Sequence, residues 1–157
     1  MNIEIKQADL SNIDTLIEWR MEVLHEVFSI PNEQNTDDLR NANFNYYNTV
    51  LNNGRHISCF ALSNNKIVGC GDMCLYSEMP SPDNPTGQCA YLMNIYTRAE
   101  FRKQGIGGKI VSWLIKKAKN KGITKIYLET SENGRSMYEK LGFLPMVGYM
   151  ILKNTNK

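Results

Sequence analysis

Apolar and polar residues alternate or recur with a helical period along most of the chain. Residues 3–5 alternate, which predicts a short half-buried strand. Apolar side chains recur at helical spacing over residues 13–28, after a possible cap at Asp9 or Ser11, and this predicts a first helix. A second helix is predicted over about residues 37–51, where the apolar positions again follow a helical period.

The middle of the chain is rich in β-prone residues. Residues 57–62 and 67–75 are apolar runs joined by turn-forming residues 63–66, which predicts an antiparallel hairpin. Residues 77–87 contain three prolines, so this segment is predicted to be a long loop with a possible functional role. Another strand is predicted over residues 89–97, which are unusually apolar and aromatic.

The last third of the chain alternates between helical and strand patterns. An amphipathic helix is predicted from about residue 106 to a glycine cap at Gly122. A strand over 123–130, a helix over 135–141 and a last strand over 146–152 follow. Because a strand–helix–strand unit implies parallel pairing, we expect an α/β fold with one mixed central sheet and helices on both faces.

Composition narrows the class of protein. A length of 157 residues suits one domain, predicted to span residues 1–157, and 42% apolar residues are typical of globular proteins. The net charge of +2 is too small to indicate nucleic acid or a membrane surface as the main partner. The N-terminus lacks the apolar core of a signal peptide, and no run approaches the ~18 apolar residues of a membrane span. We therefore predict a cytoplasmic protein.

The cysteines and histidines do not have the spacing of a metal site. His25 and His56 lie in different predicted elements, so no bound metal is expected. The cysteines lie in apolar, strand-like surroundings, which indicates buried free thiols in a reducing compartment. The chain has four of them, without a C-x-x-C pair: Cys59, Cys70, Cys74 and Cys89.

The candidate chemistry lies in the glycine-rich turn over residues 102–108, which opens the helix predicted from residue 106. The first turn of a helix has unpaired backbone N–H groups and a partial positive charge. Glycines at positions 105, 107 and 108 allow an anion to approach the main chain, and Arg102 and Lys103 add positive charge. The turn is therefore predicted to bind a pyrophosphate.

Three phosphate-loop patterns can be compared with this turn. A Walker A loop needs a hydroxyl residue after Gly108-Lys109, and Ile110 stands there instead. The dinucleotide fingerprint fails because Ile110 also occupies its third glycine position. The pattern [RQ]-x-x-G-x-[GA] matches from Arg102 to Gly107 without departure.

Two motifs together resemble the GNAT superfamily, the Gcn5-related N-acetyltransferases. They are Arg102-Lys103-Gln104-Gly105-Ile106-Gly107 and Tyr138-Glu139-Lys140-Leu141-Gly142-Phe143. The resemblance implies an acyl-CoA N-acyltransferase fold whose parallel strand pair splays apart, with the thioester between the two strands. It also implies acetyl-CoA as the acetyl donor and a primary amine of a small molecule or peptide as the acceptor.

The resemblance also implies the coenzyme contacts. A β-bulge near Met93-Asn94 would let main-chain groups of the fourth strand pair with the pantetheine arm, and the glycine-rich turn would hold the pyrophosphate. The implied contacts are Asn94, Ile95, Tyr96, Thr97, Arg102, Lys103, Gln104, Gly105, Ile106, Gly107, Gly108, Asn133, Ser136 and Tyr138.

Tyr138 is implied to be the general acid that protonates the departing coenzyme A thiolate. Its position also fits an aromatic side chain packed on an amphipathic helix. On the acceptor side, Glu26 and Tyr91 are candidate substrate contacts. The family's usual glutamate is missing from residues 89–93, so the general base stays open between a water chain ending at Tyr91 and four carboxylates: Glu26, Asp72, Glu78 and Glu129.

Two further expectations concern the surroundings of the site. The loop over residues 77–87 is predicted to border the acceptor pocket. The chain after Phe143 has room for one strand where many family members have two, which puts the usual C-terminal hairpin in doubt. A homodimer is expected by analogy with the fold, and an idle acyl-CoA-binding sensor module remains an alternative function.

Overall fold

The computed structural model describes residues 2–154, which form a five-stranded sheet with helices on both of its faces. The strands are β1 Ile3–Ala8, β2 His56–Ser63, β3 Lys66–Ser77, β4 Gln88–Thr97 and β5 Lys125–Leu128. The helices are α1 Ile13–Val27, α2 Asp37–Val50, α3 Ile106–Asn120 and α4 Glu132–Lys140.

The sheet has the strand order β1-β2-β3-β4-β5, and its last pair is parallel. The other three pairs are antiparallel, which confirms the predicted mixed sheet. Pairing between β4 and β5 ends at Leu92 and Leu128, whereas β4 continues to Thr97. Beyond Leu92, β4 continues without a β5 partner, and we call the open end of this parallel pair the V.

Each face of the sheet buries a separate apolar cluster. α3 covers one face with Ile110, Val111 and Leu114, all fully buried. α1 and α2 cover the other face, where Leu16 and Ile17 pack near the strands. Fully burying one such aliphatic side chain contributes about 1.5–3 kcal/mol, so both faces help to hold the sheet.

A β-bulge interrupts the pairing of β3 with β4. Cys70 pairs with Tyr96 and Asp72 with Met93, so two residues of β4 oppose Gly71 alone. One of them, Asn94, has a positive φ of 56°. A Cβ on Gly71 would lie 2.3 Å from Cγ2 of Ile110, so α3 packs directly against the β3 backbone here. The expected bulge near Met93-Asn94 is therefore present.

The predicted last strand over residues 146–152 is wrong within the described part of the chain. Those residues run without strand pairing, and Met150 and Ile151 are almost fully exposed. A strand needs a neighbour for its backbone hydrogen bonds, and the tail pairs with no strand of residues 2–154.

Smaller differences concern the ends of elements. α4 begins three residues earlier than expected, and β5 is shorter than the predicted 123–130. Asp9 caps a short 3₁₀ turn, Leu10–Asn12, which leads into α1. No helix within residues 2–154 combines the length and apolarity needed to cross a bilayer.

Candidate functional site

The glycine-rich turn connects β4 to α3 through two left-handed backbone positions. Lys103 has a φ of 61° and Gly105, the N-cap of α3, a φ of 77°. Glycine adopts this conformation without strain, so Gly105 suits the sharp entry into the helix. No side chain caps α3, and the first backbone N–H groups of any helix lack intrahelical acceptors. The turn therefore presents free donors to an anion.

The next two glycines differ in what surrounds them. A Cβ on Gly107 would lie 3.0 Å from Sδ of Met137, so close packing of α4 explains this glycine. A Cβ on Gly108 would have no atom within 4 Å. Packing therefore does not explain Gly108, and the open space beside it fits a ligand that approaches the main chain.

Arg102 is held by groups outside the turn. Its Nε donates to the carbonyl oxygen of Thr97 at 2.8 Å, and its guanidinium forms an ion pair with Glu26 of α1. Glu26 also accepts a 2.6 Å hydrogen bond from the hydroxyl of Tyr96. The hydrogen bond from Tyr96, followed by that from Arg102, lowers the pKa of Glu26. Glu26 thus lies beside the glycine-rich turn.

The other expected coenzyme contacts near the turn differ in how far their side chains are exposed. Lys103 and Gln104 are exposed, whereas the Ile106 side chain is buried in the core. Tyr96 is also buried, packed edge-on against Trp19 at 6.2 Å between ring centroids. These buried side chains leave only main-chain groups to meet a coenzyme.

Ile95 and Thr97 lie on the part of β4 that has no β5 partner. The Ile95 side chain packs beside Gly71 on the α3 face. Asn94, in the bulge, directs its side chain to the opposite face, where its Nδ2 donates to Asp72 at 2.5 Å. The backbone of this segment lines the V.

The α4 candidates lie on the helix that follows β5 and packs against α3 through Met137 and Gly107. Asn133 and Ser136 are exposed near the start of the helix. Tyr138 is half-buried, with its ring 5.8 Å from that of Phe143 and nearly perpendicular to it. Burial raises its pKa, and no hydrogen bond to residues 2–154 contributes to this rise. Tyr138 is therefore a protonated donor.

A cavity of about 370 Å³ lies on the α1–α2 face of the sheet. Tyr91 and Met93 of β4 form one wall, and Leu92 between them is the last β4 residue paired with β5. The cavity therefore lies at the level where the V begins. Arg20 of α1 and Tyr46 of α2 form other parts of its wall.

The floor of this cavity holds a buried carboxylate, Asp72. It accepts hydrogen bonds from the Ser58 hydroxyl, from Tyr47 at 3.2 Å and from Asn94. His56 Nε2 lies 2.7 Å from its Oδ1. Burial would raise the pKa of Asp72, but the hydrogen bonds and the charge of His56 outweigh it and lower the pKa. Asp72 is thus ionised and fully engaged, which leaves it no role as a free base.

A thiol lies at the other end of the same network. The Sγ of Cys74 is 3.6 Å from Nδ1 of His56 and 3.0 Å from the hydroxyl of Tyr46. The Tyr46 hydroxyl also lies 2.9 Å from Nδ1. Cys74 is half-buried and lines the cavity, whereas Cys59, Cys70 and Cys89 are buried. All four cysteines are free.

Of the remaining base candidates, Glu129 lies close to Tyr91, where burial and the charge of Glu129 raise the pKa of the tyrosine, and Glu78 lies farther away. Glu78 forms an ion pair with Lys125 at 2.8 Å, at the far end of β5. Glu129 lies in a groove beside β5 that also contains Tyr138. The loop over 77–87 closes on itself through buried Asn84, and the cavity is lined by residues of α1, α2 and the strands. Tyr91 is the acceptor-side candidate that does reach the cavity.

His56 and Cys74 were not among the predicted site residues. They come together because His56 pairs with Cys74, and Ser58 with Asp72, across the β2–β3 hairpin. The sequence does contain a signal, since an aspartate inside an apolar strand needs buried partners. Counting outward from the turn would have placed His56 close to Cys74.

The sequence comparison decides the family. The model of the Acetyltransferase (GNAT) family matches residues 13–143. The chain belongs to this family. It is therefore an enzyme of the GNAT N-acetyltransferase family, and the two motifs from which the resemblance was inferred both lie in the matched region. No curated protein sequence matches the chain.

Solved structures show the same fold. A predicted acetyltransferase from Clostridium acetobutylicum, solved with acetyl-CoA, is 28% identical, with a TM-score of 0.86 over 97% of this chain and 96% of that one. A GCN5-related N-acetyltransferase from Ralstonia eutropha is 15% identical, with a TM-score of 0.81 over 97% and 99%. Glucosamine-6-phosphate N-acetyltransferase from Arabidopsis thaliana is 18% identical, with a TM-score of 0.72 over 99% and 100%. These similarities confirm the GNAT fold expected from the sequence.

Proposed function

We propose that this GNAT enzyme transfers the acetyl group of acetyl-CoA to a primary amine of a small molecule or peptide, with Tyr138 as the general acid. The observation that carries the proposal is the uncapped start of α3 beside the open space at Gly108. A site of this kind favours a pyrophosphate, and the related Clostridium protein was solved with acetyl-CoA.

The chain's residues fit the parts of the coenzyme in order. Backbone N–H groups over residues 102–108 would hold the pyrophosphate, and main-chain groups of Ile95 and Thr97 would pair with the pantetheine arm. Asn133 and Ser136 would contact it from α4. When bound, acetyl-CoA supplies an activated acyl group on a thiol leaving group.

Tyr138 suits the role of donor because its hydroxyl is protonated. Ordinary pKa values of ~10 for tyrosine and ~8.5 for a thiol make full proton transfer unfavourable by about 2 kcal/mol. Burial raises the pKa of Tyr138 further. Tyr138 therefore acts mainly by donating a hydrogen bond to the sulfur as negative charge develops there.

The cavity beside Tyr91 is the proposed acceptor site. Its volume of about 370 Å³ suits a small molecule or one end of a peptide. Tyr46, Tyr91 and Met93 make its wall largely apolar, and tyrosine faces attract ammonium groups. We expect an amine with an apolar or aromatic body.

Polycationic acceptors fit this cavity less well. One of the structurally similar proteins is an aminoglycoside N-acetyltransferase solved with CoA, 15% identical to this chain. A polycation needs several free carboxylates, and the one carboxylate that lines this cavity, Asp72, already accepts hydrogen bonds from its neighbours. Arg20, also in the wall, adds positive charge.

The test is thiol release from acetyl-CoA with a panel of amines, alongside calorimetric binding of coenzyme A. Turnover with monoamines such as arylalkylamines, and weaker turnover with aminoglycosides, is the expected result. Coenzyme binding without turnover on any amine would favour the sensor module. A protein that neither binds coenzyme A nor acetylates any amine would disprove the proposal.

A homodimer is part of the proposal. The outer edge of β5 has no strand partner in residues 2–154, and the same chain carries an exposed apolar tail. Five of its side chains are strongly exposed: Val147, Tyr149, Met150, Ile151 and Leu152. If two copies exchanged their tails, each tail would pair with the free β5 edge of the other copy. One twofold contact would then cover both the free edge and the exposed apolar side chains. A single domain over residues 1–157 and a cytoplasmic location stay predictions.

A further inference from the structure

Cys74, His56 and Asp72 form a hydrogen-bonded network that reaches from the buried core to the cavity. Asp72 and His56 are buried, with 2% and 5% of their surfaces exposed, whereas Cys74 reaches the cavity. The hydrogen bond of 2.7 Å to Asp72 fixes His56 Nε2 as a donor. The other ring nitrogen, Nδ1, therefore faces the thiol and Tyr46.

Asp72, His56 and Cys74 follow one another in the order that activates a thiol. A carboxylate that orients an imidazole, which in turn faces a sulfur atom, stabilises the thiolate form of the cysteine. Nδ1 lies 3.6 Å from Sγ, and the Tyr46 hydroxyl reaches the same sulfur at 3.0 Å. Two groups that can donate hydrogen bonds therefore converge on Cys74, and both also line the cavity.

The electrostatic surroundings agree with this geometry. Burial opposes a charge on His56, but its hydrogen bonds to Asp72 and Cys74 raise its pKa to about 9. Burial also opposes ionisation of Cys74, but the hydrogen bonds of His56 and Tyr46 outweigh it and lower the thiol's pKa. Both shifts favour the charged pair, an imidazolium beside a thiolate.

The groups facing Cys74 come from every element around the cavity. Tyr46 comes from α2, His56 from β2 and Asp72 from β3, while Arg20 from α1 and Tyr91 from β4 line the same cavity. The Asp72 charge opposes the thiolate, and His56 favours it. The positive charge of the imidazolium lies between the two negative groups, which reduces their repulsion.

We propose that Cys74, supported by His56 and Asp72, is the proton acceptor for the acceptor amine in this enzyme. The inference rests on the proposed function, because it places the amine in the cavity lined by Cys74. An ammonium group entering there gives one proton to the Cys74 thiolate, which yields a neutral amine and a neutral thiol. The amine keeps its electron pair for attack on the acyl carbon, and the thiol returns its proton to solvent.

This inference names a base other than the four candidate carboxylates, three of which are already engaged. Asp72 is buried, and its oxygens already accept hydrogen bonds. Glu26 is paired with Arg102, and Glu78 is paired with Lys125. Cys74 lies two residues from Asp72 on the same strand and opposite Tyr91, at the level where β4 and β5 part. Its thiolate is therefore near the point where the V meets the cavity.

The first test needs no acceptor. The full chain is treated with iodoacetamide between pH 5 and 10, and alkylation of each cysteine is followed by mass spectrometry. We expect the alkylation rate of Cys74 to reach half of its maximum at a pH below ~8.5, the pKa of a free thiol. Cys59, Cys70 and Cys89 should react slowly. His56→Asn and Tyr46→Phe should each raise the midpoint of Cys74. Tyr46→Phe keeps the test valid if His56→Asn does not fold.

The second test uses turnover. Cys74→Ser should lower kcat/KM for the amine at least about tenfold at neutral pH, with recovery toward high pH, where more amine is already unprotonated. Coenzyme affinity should not change. Incubation with acetyl-CoA alone should leave Cys74 unmodified.

Three results would overturn the inference. They are a wild-type Cys74 midpoint at or above that of a free thiol, an unchanged pH profile in Cys74→Ser, and an acetyl group trapped on Cys74, which would make it a nucleophile. Absence of turnover with every amine would disprove both the proposed function and the role of Cys74 as the base. An active enzyme whose Cys74 is alkylated with the pH midpoint of a free thiol would disprove the role of Cys74 alone.

Discussion

Arg102 of the glycine-rich turn forms an ion pair with Glu26 of the first helix, 76 residues earlier in the chain. Arg102 also donates to the carbonyl oxygen of Thr97, at the end of β4. The guanidinium thereby joins α1, β4 and the turn. Its main effect is therefore to hold the turn in position, and in the proposed function the pyrophosphate is left to the backbone N–H groups.

This ion pair predicts a pH-dependent contribution to stability. The pKa of Glu26 is lowered in the folded protein, so its contribution is present above the ordinary carboxyl pKa and is lost as pH falls through the folded value. Glu26→Gln should cost at most about 1 kcal/mol at pH 7, because the pair is nearly half exposed.

Urea unfolding of wild type and Glu26→Gln at pH 7 and below pH 4 measures this difference. We expect it to shrink at low pH. Glu4→Gln, which removes the exposed pair with Lys6, is the matched control and should change stability little at either pH. An equal loss at both pH values would show that the carboxylate's charge does not contribute.

Gly108→Ala should affect folding and coenzyme binding in opposite directions. Its new Cβ meets no atom within 4 Å, and alanine is favoured over glycine in a helix by up to about 1 kcal/mol. Stability should therefore be unchanged or higher. Coenzyme A should bind more weakly, because the methyl group occupies the space proposed for the pyrophosphate.

Thermal melting and calorimetric titration with coenzyme A measure the two effects. Ser112→Ala, an exposed change on the same helix, is the control and should leave the affinity unchanged. Unaltered binding by Gly108→Ala would place the pyrophosphate elsewhere.

Tyr138→Phe separates catalysis from packing. The ring contact with Phe143 is kept, so thermal stability and coenzyme affinity should change little. Loss of the hydroxyl should lower kcat by about 10²-fold or more, which is typical for removal of a general acid.

Steady-state kinetics with the best acceptor of the amine panel checks this, and Ser112→Ala on the exposed side of α3 serves as control. A kcat equal to that of wild type would leave Tyr138 as a packed aromatic side chain only.

The exposed tail predicts a dimer in solution. Met150→Lys combined with Ile151→Lys places a charge on both faces of the tail and should convert the dimer to a monomer. Light scattering after gel filtration measures the mass. Phe28→Lys, at an exposed position just after α1, should leave the dimer intact. A monomeric wild-type protein would disprove the exchange of tails.

Most of the fold could be predicted because its signals are local. Helical spacing in α1 and α3, the turn between β2 and β3 and the glycine-rich turn each depend on residues close in sequence. The last strand failed for the opposite reason. Residues 146–152 are apolar apart from Gly148, but a strand needs a paired edge, which an apolar run alone does not supply.

The sequence by itself determined the family and predicted the anion site, because a run of seven residues at a helix start carries that site within itself. Only the tertiary structure brought together the residues of the proposed acceptor side. Cys74, His56 and Asp72 are up to 18 residues apart, and they meet through the hairpin register that opposes His56 to Cys74. Strand register depends on which faces are buried, so it is set by the packing of the whole sheet.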